Sequence, residues 1–568
     1  MAVEESSAAP TAPAERHAIG ISIGNSNSSI AITVDDKAEV IANEDGDRQI
    51  PAILSYVDGE EYTGQQAKQQ LIRNSANTVA YFRDFLGQDF KSIDPTHCHA
   101  SAHPHEHEST IAFTIQDKEG DEKSTVTISE IATRQLRRLK QSASDYSGKE
   151  VNSAVITVPT NFSEKQKDAL NKAAAAAGIE VLQFINEPVA ALLAYDSRPE
   201  TKVGDKNVVV VDLGGTRSDV TVIASRGGMY TILATAHDYE FAGVHLDKVL
   251  QDHFSKEFIK WNSIDPREDA RSLAKLKLES EAAKRALSIG TNASFSVESL
   301  AEGIDFTSTI NRLRYETIAR KVFEGFNRLV EGVVKKAGLD VLDIDEVILS
   351  GGTSHTPKIA KNFQAIFPES TTVLAPSTTP TAINPSELSA RGAALQASLI
   401  QEYESEDIEQ STHPAVTTVK HLSNAIGVLS ISGDETKGVF NPVLSAETAV
   451  PARRTVHVAV PKEGGDVLIK IVEGGSHIKV TKVEPKQNGK KSDDEDDSSD
   501  EEDSDEEPEE QREKVWKIGN VLAEAAVKDT KKGGKVEVMI NVAADLSVTI
   551  TAREVGAKGG VRGNLSAP

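Results

Sequence analysis

Cysteine is almost absent: the 568 residues contain one, Cys98. That excludes an intramolecular disulfide and suits a reducing compartment, cytosolic or nuclear. Long apolar runs are also missing. No stretch approaches the roughly 18 to 20 residues that cross a bilayer as a helix, so no membrane association is expected. Residues 1–16 have neither an apolar core nor a basic leader and read as a disordered tail, not a signal peptide. Positive charge is scarce, with 62 Lys and Arg against 87 Asp and Glu, a net charge of −25. Such a balance repels a phosphate backbone and argues against direct nucleic-acid binding. At this length, with 38% hydrophobic residues, two or more domains with their own cores are expected.

From Ala18 to about Ala397, short β-branched runs alternate with alanine-rich or charged stretches, the pattern of an α/β architecture. Residues 154–158 (AVITV) read as a buried strand. Residues 163–177 read as a helix that opens on a capping box, Ser163 with Gln166, and stops at Gly178. A glycine-bearing turn follows a strand near Ile21 and again near Val211, which predicts two related lobes. Residues 403–420 are polar and acidic, without helical period, and read as a linker. Beyond them, period-two segments at 455–460, 467–472, 535–542 and 546–552 imply a small antiparallel β domain. Residues 493–510 are almost wholly Asp, Glu and Ser; they self-repel and cannot bury a core, so a disordered insertion is expected. Ser498, Ser499 and Ser504 precede acidic residues there and suit an acidophilic kinase, beside the plainer reading of a solvating loop.

Three glycine turns follow apolar strands. Residues 20–29 (GISIGNSNSS) enter a turn of small residues where backbone N–H groups can converge on an anion. In residues 208–220 (VVVVDLGGTRSDV) four valines deliver Asp212 to a strand end, and Gly214 and Gly215 let the backbone approach a phosphate. A carboxylate at Asp212 can hold the water shell of Mg²⁺. The third turn is 349–353 (LSGGT). Each alone could be structural; in this order they favour a nucleotide cleft between two lobes.

Taken with NTVAYFRDFLG, ITVPTNFSEKQKDAL, INEPVAALLAY, EGIDFTSTINRLRYE, LSGGTSHTPKI and VLIKIVEG, these segments resemble the DnaK-type seventy-kilodalton heat-shock family in order and spacing, from Ala18 to about Val555. The resemblance implies a two-lobed actin-like ATPase fold over 17–402, a polar linker over 403–421, and a truncated antiparallel β-sandwich over 422–568 with a disordered insertion at 487–512. It implies ATP as the cofactor. Gly24, Asn25, Ser26 and Asn27 match the first phosphate turn, and Gly214, Gly215, Thr216 and Arg217 the second, with Gly243 beside them. Glu281, Lys284, Arg285 and Ser288 match the adenosine pocket, where acid and lysine contact ribose and the arginine covers the base. Gly351, Gly352, Thr353 and His355 match its other side. The spacing i, i+3, i+4, i+7 independently puts the four pocket residues on one helical face, although a salt-bridged solvent face has the same pattern.

The hydrolytic positions depart from the family. Ser22 stands where an Asp orients hydrated Mg²⁺, and Asn25 and Ser26 replace paired threonines. Arg83 replaces the catalytic lysine, a wide guanidinium for a compact ammonium. Thr216 and Arg217 replace Gly-Thr, while His355 and Ser386 replace Arg and Asp. Glu187, Asp212 and Asp219 remain, Asp212 being the one candidate to hold Mg²⁺ through water. Phosphoryl transfer needs metal, water and charge in tight geometry, so these changes predict a pseudo-ATPase that binds ATP and has no assured catalytic residue.

The family's leucine-rich linker is replaced at 407–411 by DIEQS, and after Val555 only a glycine-rich tail is expected, too short for a helical lid. This combination resembles the fungal heat-shock-like branch of the ribosome-associated complex. The resemblance implies a stable heterodimer with a J-domain protein of the zuotin type, cytoplasmic ribosome contact mainly through that partner, and stimulation of a second ribosome-bound chaperone during nascent-chain folding. The enzymatic alternative is an active folding chaperone in which Arg217 acts on the γ-phosphate. A filament or sugar-kinase relative would share the cleft but has no use for the β domain. His97, Cys98, His99, His103, His105 and His107 have a spacing conceivable for zinc, but read more simply as a histidine-rich surface hairpin.

Overall fold

The computed structural model describes residues 16–96, 101–120, 122–199, 201, 204–412, 420–430, 438–460, 463–483, 509–557 and 559–566. Two five-strand paths with the same connectivity dominate it. In the first, Glu180–Asn186, Ser153–Val158 and Ala18–Ile23 run parallel, and Asn27–Val34 and Lys37–Ile41 continue antiparallel. In the second, Thr372–Leu374, Glu346–Ser350 and Lys206–Leu213 are parallel, followed by Ser218–Arg226 and Met229–Asp238 antiparallel. The duplication inferred from the glycine turns is thus a duplication of whole sheets, here called lobes I and II.

Strand residues buried on both faces explain the unbroken apolar runs: all six residues of Ser153–Val158 are buried, as are Val208 to Val211. The helix Glu164–Ala176 carries the expected capping box between Ser163 and Gln166, and Gly178 takes φ +79° just beyond it. Helices Glu187–Asp196 and Leu388–Ile400 pack against each other and join the lobes; a Cβ on Gly392 would lie 1.9 Å from the Ala190 carbonyl oxygen, so only glycine permits this approach.

The C-terminal part is a sandwich of two four-stranded antiparallel sheets. Lys535–Val542 alternates, with Val536, Val538, Ile540 and Val542 turned into a core shared with Leu444, Ile471 and Ile550. No helix follows Thr412 among the described residues.

Three expectations need correction. The stretch read as a linker contains a helix, Ser405–Thr412, because a single apolar residue, Ile408, is 6% exposed against Val155, Leu182, Ile185 and Ala397. One anchor is enough when the rest of the helix faces water, so no apolar period was visible in sequence. The glycine-rich tail includes a strand, Val561–Leu565, paired with Val548–Glu554. The insertion is shorter than 487–512 at its C-terminal end, since the strand Glu509–Thr530 pairs with Gly465–Val483 from Glu509 onward. The rest of the insertion, with Ser498, Ser499 and Ser504, lies outside the described residues. A smaller shift is that the strand begun at Leu546 in the sequence reading starts at Val548, because Leu546 takes φ +75° in the turn before it.

The sandwich docks on lobe II. Arg226 Nε donates to the Ala446 carbonyl (2.9 Å), Ser445 Oγ to Asp205 Oδ2 (3.2 Å), and Lys514 Nζ pairs with Asp343 Oδ1 (2.8 Å). Thr231 Oγ1 and His421 Nε2 lie 3.1 Å apart.

Candidate functional site

Between the lobes lies a cleft of about 510 Å³ whose lining draws on both sheets. All three glycine turns open into it. Gly24, Asn25, Ser26 and Asn27 connect the first two strands of lobe I, and Gly214, Gly215, Thr216 and Arg217 connect the corresponding strands of lobe II. Gly351, Gly352, Thr353 and His355 follow Glu346–Ser350. Gly243 is not in the wall, but its N–H donates to the Gly214 carbonyl and its own carbonyl accepts from Lys284 Nζ at 3.1 Å, so it sets the wall's shape.

Glu281, Lys284, Arg285 and Ser288 all line the cleft from the helix Ala270–Ile289, and Arg285, exposed, also makes the i,i+4 ion pair with Glu281 that a solvent face would carry. Their partners were not legible in sequence. Lys68, from lobe I, reaches across to Glu281 Oε2 at 2.6 Å, and Lys284 pairs with Asp247 at 2.7 Å. Burial alone would raise the Glu281 pKa, yet Lys68, Arg285 and Lys284 together bring it down to about 2. His355 Nε2 donates to Asn384 Oδ1 (3.1 Å) and lies 3.2 Å from Ser386 Oγ, so the two residues that depart from the family pattern on this side contact each other. Burial holds the His355 pKa below the ordinary histidine value.

The opposite end is dense with charge. Arg83 donates to the Ile23 carbonyl and to Glu187 Oε1, both at 3.1 Å, and pairs with Asp84. Arg217 forks onto both oxygens of Asp219, with Nε to Oδ2 at 2.7 Å, and donates further to Asn161 Oδ1 (2.9 Å) and Tyr239 Oη (3.0 Å). Its guanidinium also lies over the Tyr239 ring, 5.2 Å from the centroid. Asp212 accepts from Ser350 Oγ at 3.1 Å. Burial first, and then the neighbouring carboxylates Asp212 and Asp219, push Glu187 upward despite Arg83.

Three consequences follow for chemistry. Two of the three remnant carboxylates, Glu187 and Asp219, are ion-paired by arginines, leaving Asp212 as the acid with no cation on it among the contacts named. Ser22, the next-to-last residue of the strand Ala18–Ile23, brings a hydroxyl to the cleft wall. Arg217 spends its donors on Asp219, Asn161 and Tyr239, which speaks against the reading in which it acts on a γ-phosphate. A nucleotide nonetheless suits the remaining wall: Gly352 leaves its side open, with the nearest atom to an added Cβ being Ser386 Oγ at 3.7 Å, and Lys68, Lys284 and Arg285 line it in ion pairs with Glu281 and Asp247.

Of the histidine cluster, His97, Cys98 and His99 lie outside the described residues. His105 and His107 belong to the hairpin of Pro104–His107 with Thr110–Ile115. No group of metal-ligating side chains forms among the described residues.

The Hsp70 protein family model matches residues 18–484. The chain is 45% identical over 551 residues to the ribosome-associated complex subunit SSZ1 of Saccharomyces cerevisiae, covering 96% of this chain and 99% of that protein. It is 45% identical over 557 residues to a heat shock protein 70 homolog of Schizosaccharomyces pombe, covering 96% and 95%. With heat shock 70 kDa protein 14-B of Xenopus laevis the identity is 32% over 461 residues, 80% of this chain and 87% of that one. Matched along most of its length, and built on the duplicated sheets and cleft described above, the chain belongs to the Hsp70 family.

Proposed function

We propose that this protein is a nucleotide-holding Hsp70 with little or no hydrolysis, acting as a cochaperone in a stable complex with a J-domain protein of the zuotin type. The observation that carries the reading is the pairing of Glu187 and Asp219 by Arg83 and Arg217. ATP would be held by the turns at Gly24 to Asn27 and Gly214 to Arg217 and by the pocket of Glu281, Lys284, Arg285 and Ser288. Bound ATP would place its phosphates against the two turns. Asp212 is the proposed contact for hydrated Mg²⁺, which we take as dispensable because Ser22 stands where the family's metal-orienting carboxylate would be.

The relatives support a reading of the site of action. A protein of nearly the same length and 45% identity is named as a subunit of a ribosome-associated complex, which supports a cytoplasmic, ribosome-bound role here. Ribosome contact runs mainly through the partner, consistent with a net charge of −25. The complex stimulates a second ribosome-bound chaperone of the same family. No helix among the described residues is long and apolar enough to cross a membrane.

The test pairs calorimetric ATP titration, with and without Mg²⁺, with single-turnover hydrolysis in the presence and absence of the J-domain partner. Binding unaffected by chelation, without turnover, is the expected result. Hydrolysis at a rate ordinary for the family would overturn the reading. Affinity capture from extract should recover the J-domain protein in stoichiometric amount.

A further inference from the structure

The residues that spoil the second phosphate turn for hydrolysis do something else: they reach across the cleft. Thr216 Oγ1 accepts a hydrogen bond from Asn25 Nδ2 at 3.0 Å, joining the lobe II turn to the lobe I turn in a buried contact. The next residue, Arg217, donates to Asn161 Oδ1 at 2.9 Å, and Asn161 lies in the lobe I loop after the strand Ser153–Val158. Beside it, Thr160 Oγ1 and Thr235 Oγ1 are 2.9 Å apart, lobe I against lobe II again.

Each end of these ties is fixed within its own lobe. The Asn25 amide is oriented by the Asp84 N–H, 3.5 Å from its Oδ1, which leaves Nδ2 to face Thr216. The first turn is braced where Ala52 N–H donates to the Ser26 carbonyl at 2.9 Å. The second is braced by the N–H groups of Gly243 and Val244 on the Gly214 and Gly215 carbonyls, and by Thr353 Oγ1 on Gly214. Asp219 holds the Arg217 fork from behind. The two turns also touch directly, since a Cβ on Gly215 would lie 2.2 Å from Ser26 Oγ. Thr216 is 2% exposed and Asn25 8%, so water does not compete at their contact, whereas Arg217, 6% exposed, reaches out to an exposed Asn161.

We infer that Thr216 and Arg217 form an interlobe clamp with Asn25 and Asn161, holding the cleft shut at its phosphate end through protein contacts alone. A turn with glycine at position 216 has no side chain to accept from Asn25, and a threonine at 217 is too short to span to Asn161. Thr216 and Arg217 thereby make the turn a strut, and the lobes keep their closed relation whether or not a nucleotide is present. The inference does not depend on nucleotide binding and stands or falls separately from the function proposed above.

Hydrogen exchange on the full-length protein, stripped of nucleotide, tests it. The backbone amides of residues 24–27, 160–162 and 214–217 should be as protected without nucleotide as with ATP. Thr216→Val, which keeps the shape and deletes the acceptor, should speed their exchange about tenfold in the nucleotide-free protein, as should Asn161→Ala, and the double variant should exceed either alone. Wild-type loops that exchange freely until ATP is added would overturn the clamp, and so would variants that exchange no faster than wild type. The first comparison needs no variant, so a substitution that fails to fold leaves the inference testable. A protein that binds no ATP at all would sink the proposed function while leaving the comparison of nucleotide-free wild type and variants intact.

Discussion

Glu281 shows how much one side chain carries. It is paired from lobe I by Lys68 and from its own helix by Arg285, and these cations, with Lys284, hold its pKa near 2 against an unfolded value of 4.5. A depressed carboxylate pKa contributes stability that is complete above about pH 4.5 and is lost as pH falls through about 2. Thermal unfolding of wild type and Glu281→Gln should therefore differ most near neutral pH, and the two should converge as pH drops through that window. Lys68→Met should remove most of the same difference. It should also raise the nucleotide dissociation rate severalfold, read by fluorescent-nucleotide release, since the one ion pair across the mouth of the cleft named here is then gone. An unchanged release rate would show that Lys68 does not gate the cleft. In the sequence, Glu281 was legible from its motif and helical spacing. Lys68 was not, because 213 positions separate the pair and no local pattern predicts which lysine of lobe I faces the opposite lobe.

At the scale of elements, legibility followed the strength of the local signal. The strand Ser153–Val158 and the helix after it carried an apolar run, a capping box and a terminating glycine, and all three agree with the structure. The helix Ser405–Thr412 carried no such agreement: among its described side chains only Ile408 is buried, and the exposed ones are the acidic and polar residues of an apparent linker. What holds it is tertiary. Arg16 donates to both oxygens of Glu180, at 3.0 and 2.7 Å, and to Ser405 Oγ at 2.8 Å, tying the helix start to the edge strand of lobe I. An eight-residue helix is too short to persist alone. Ile408→Ala should thus cost about 2 kcal/mol locally and release the segment without unfolding the lobes. Limited proteolysis should then cut within residues 403–412 while the melting temperature of the main transition stays within a degree or two. Equal resistance of wild type and variant would mean that the Arg16 contacts suffice by themselves.

The whole molecule is divided by its cores. The sandwich has an apolar cluster built from its own two sheets, and each lobe has another, so among the described residues the large apolar clusters of sandwich and lobe II are separate. Docking is polar instead, and a polar contact of this kind ordinarily permits relative motion. Two of its pairs, Lys514 with Asp343 and Arg454 with Asp205, are partly exposed and will weaken in salt. Arg226 differs: it is 8% exposed, donates to the Lys206 carbonyl and to Asn207 Oδ1 on the lobe side, and spends its Nε on Ala446 of the sandwich. Sequence reading placed the boundary near residue 402 but gave no sign of this residue, which lies in a strand of lobe II and contacts chain 220 positions away. If Arg226 is the fixed point, salt alone should leave the scattering profile of wild type unchanged. Arg226→Met, which keeps the stem packed and removes the donors, should add a salt-dependent increase in radius of gyration and split thermal unfolding into two transitions, the sandwich melting apart from the lobes. A single transition and unaltered scattering in that variant would place the docking energy elsewhere along the interface, with the pair of Thr231 and His421 next in line.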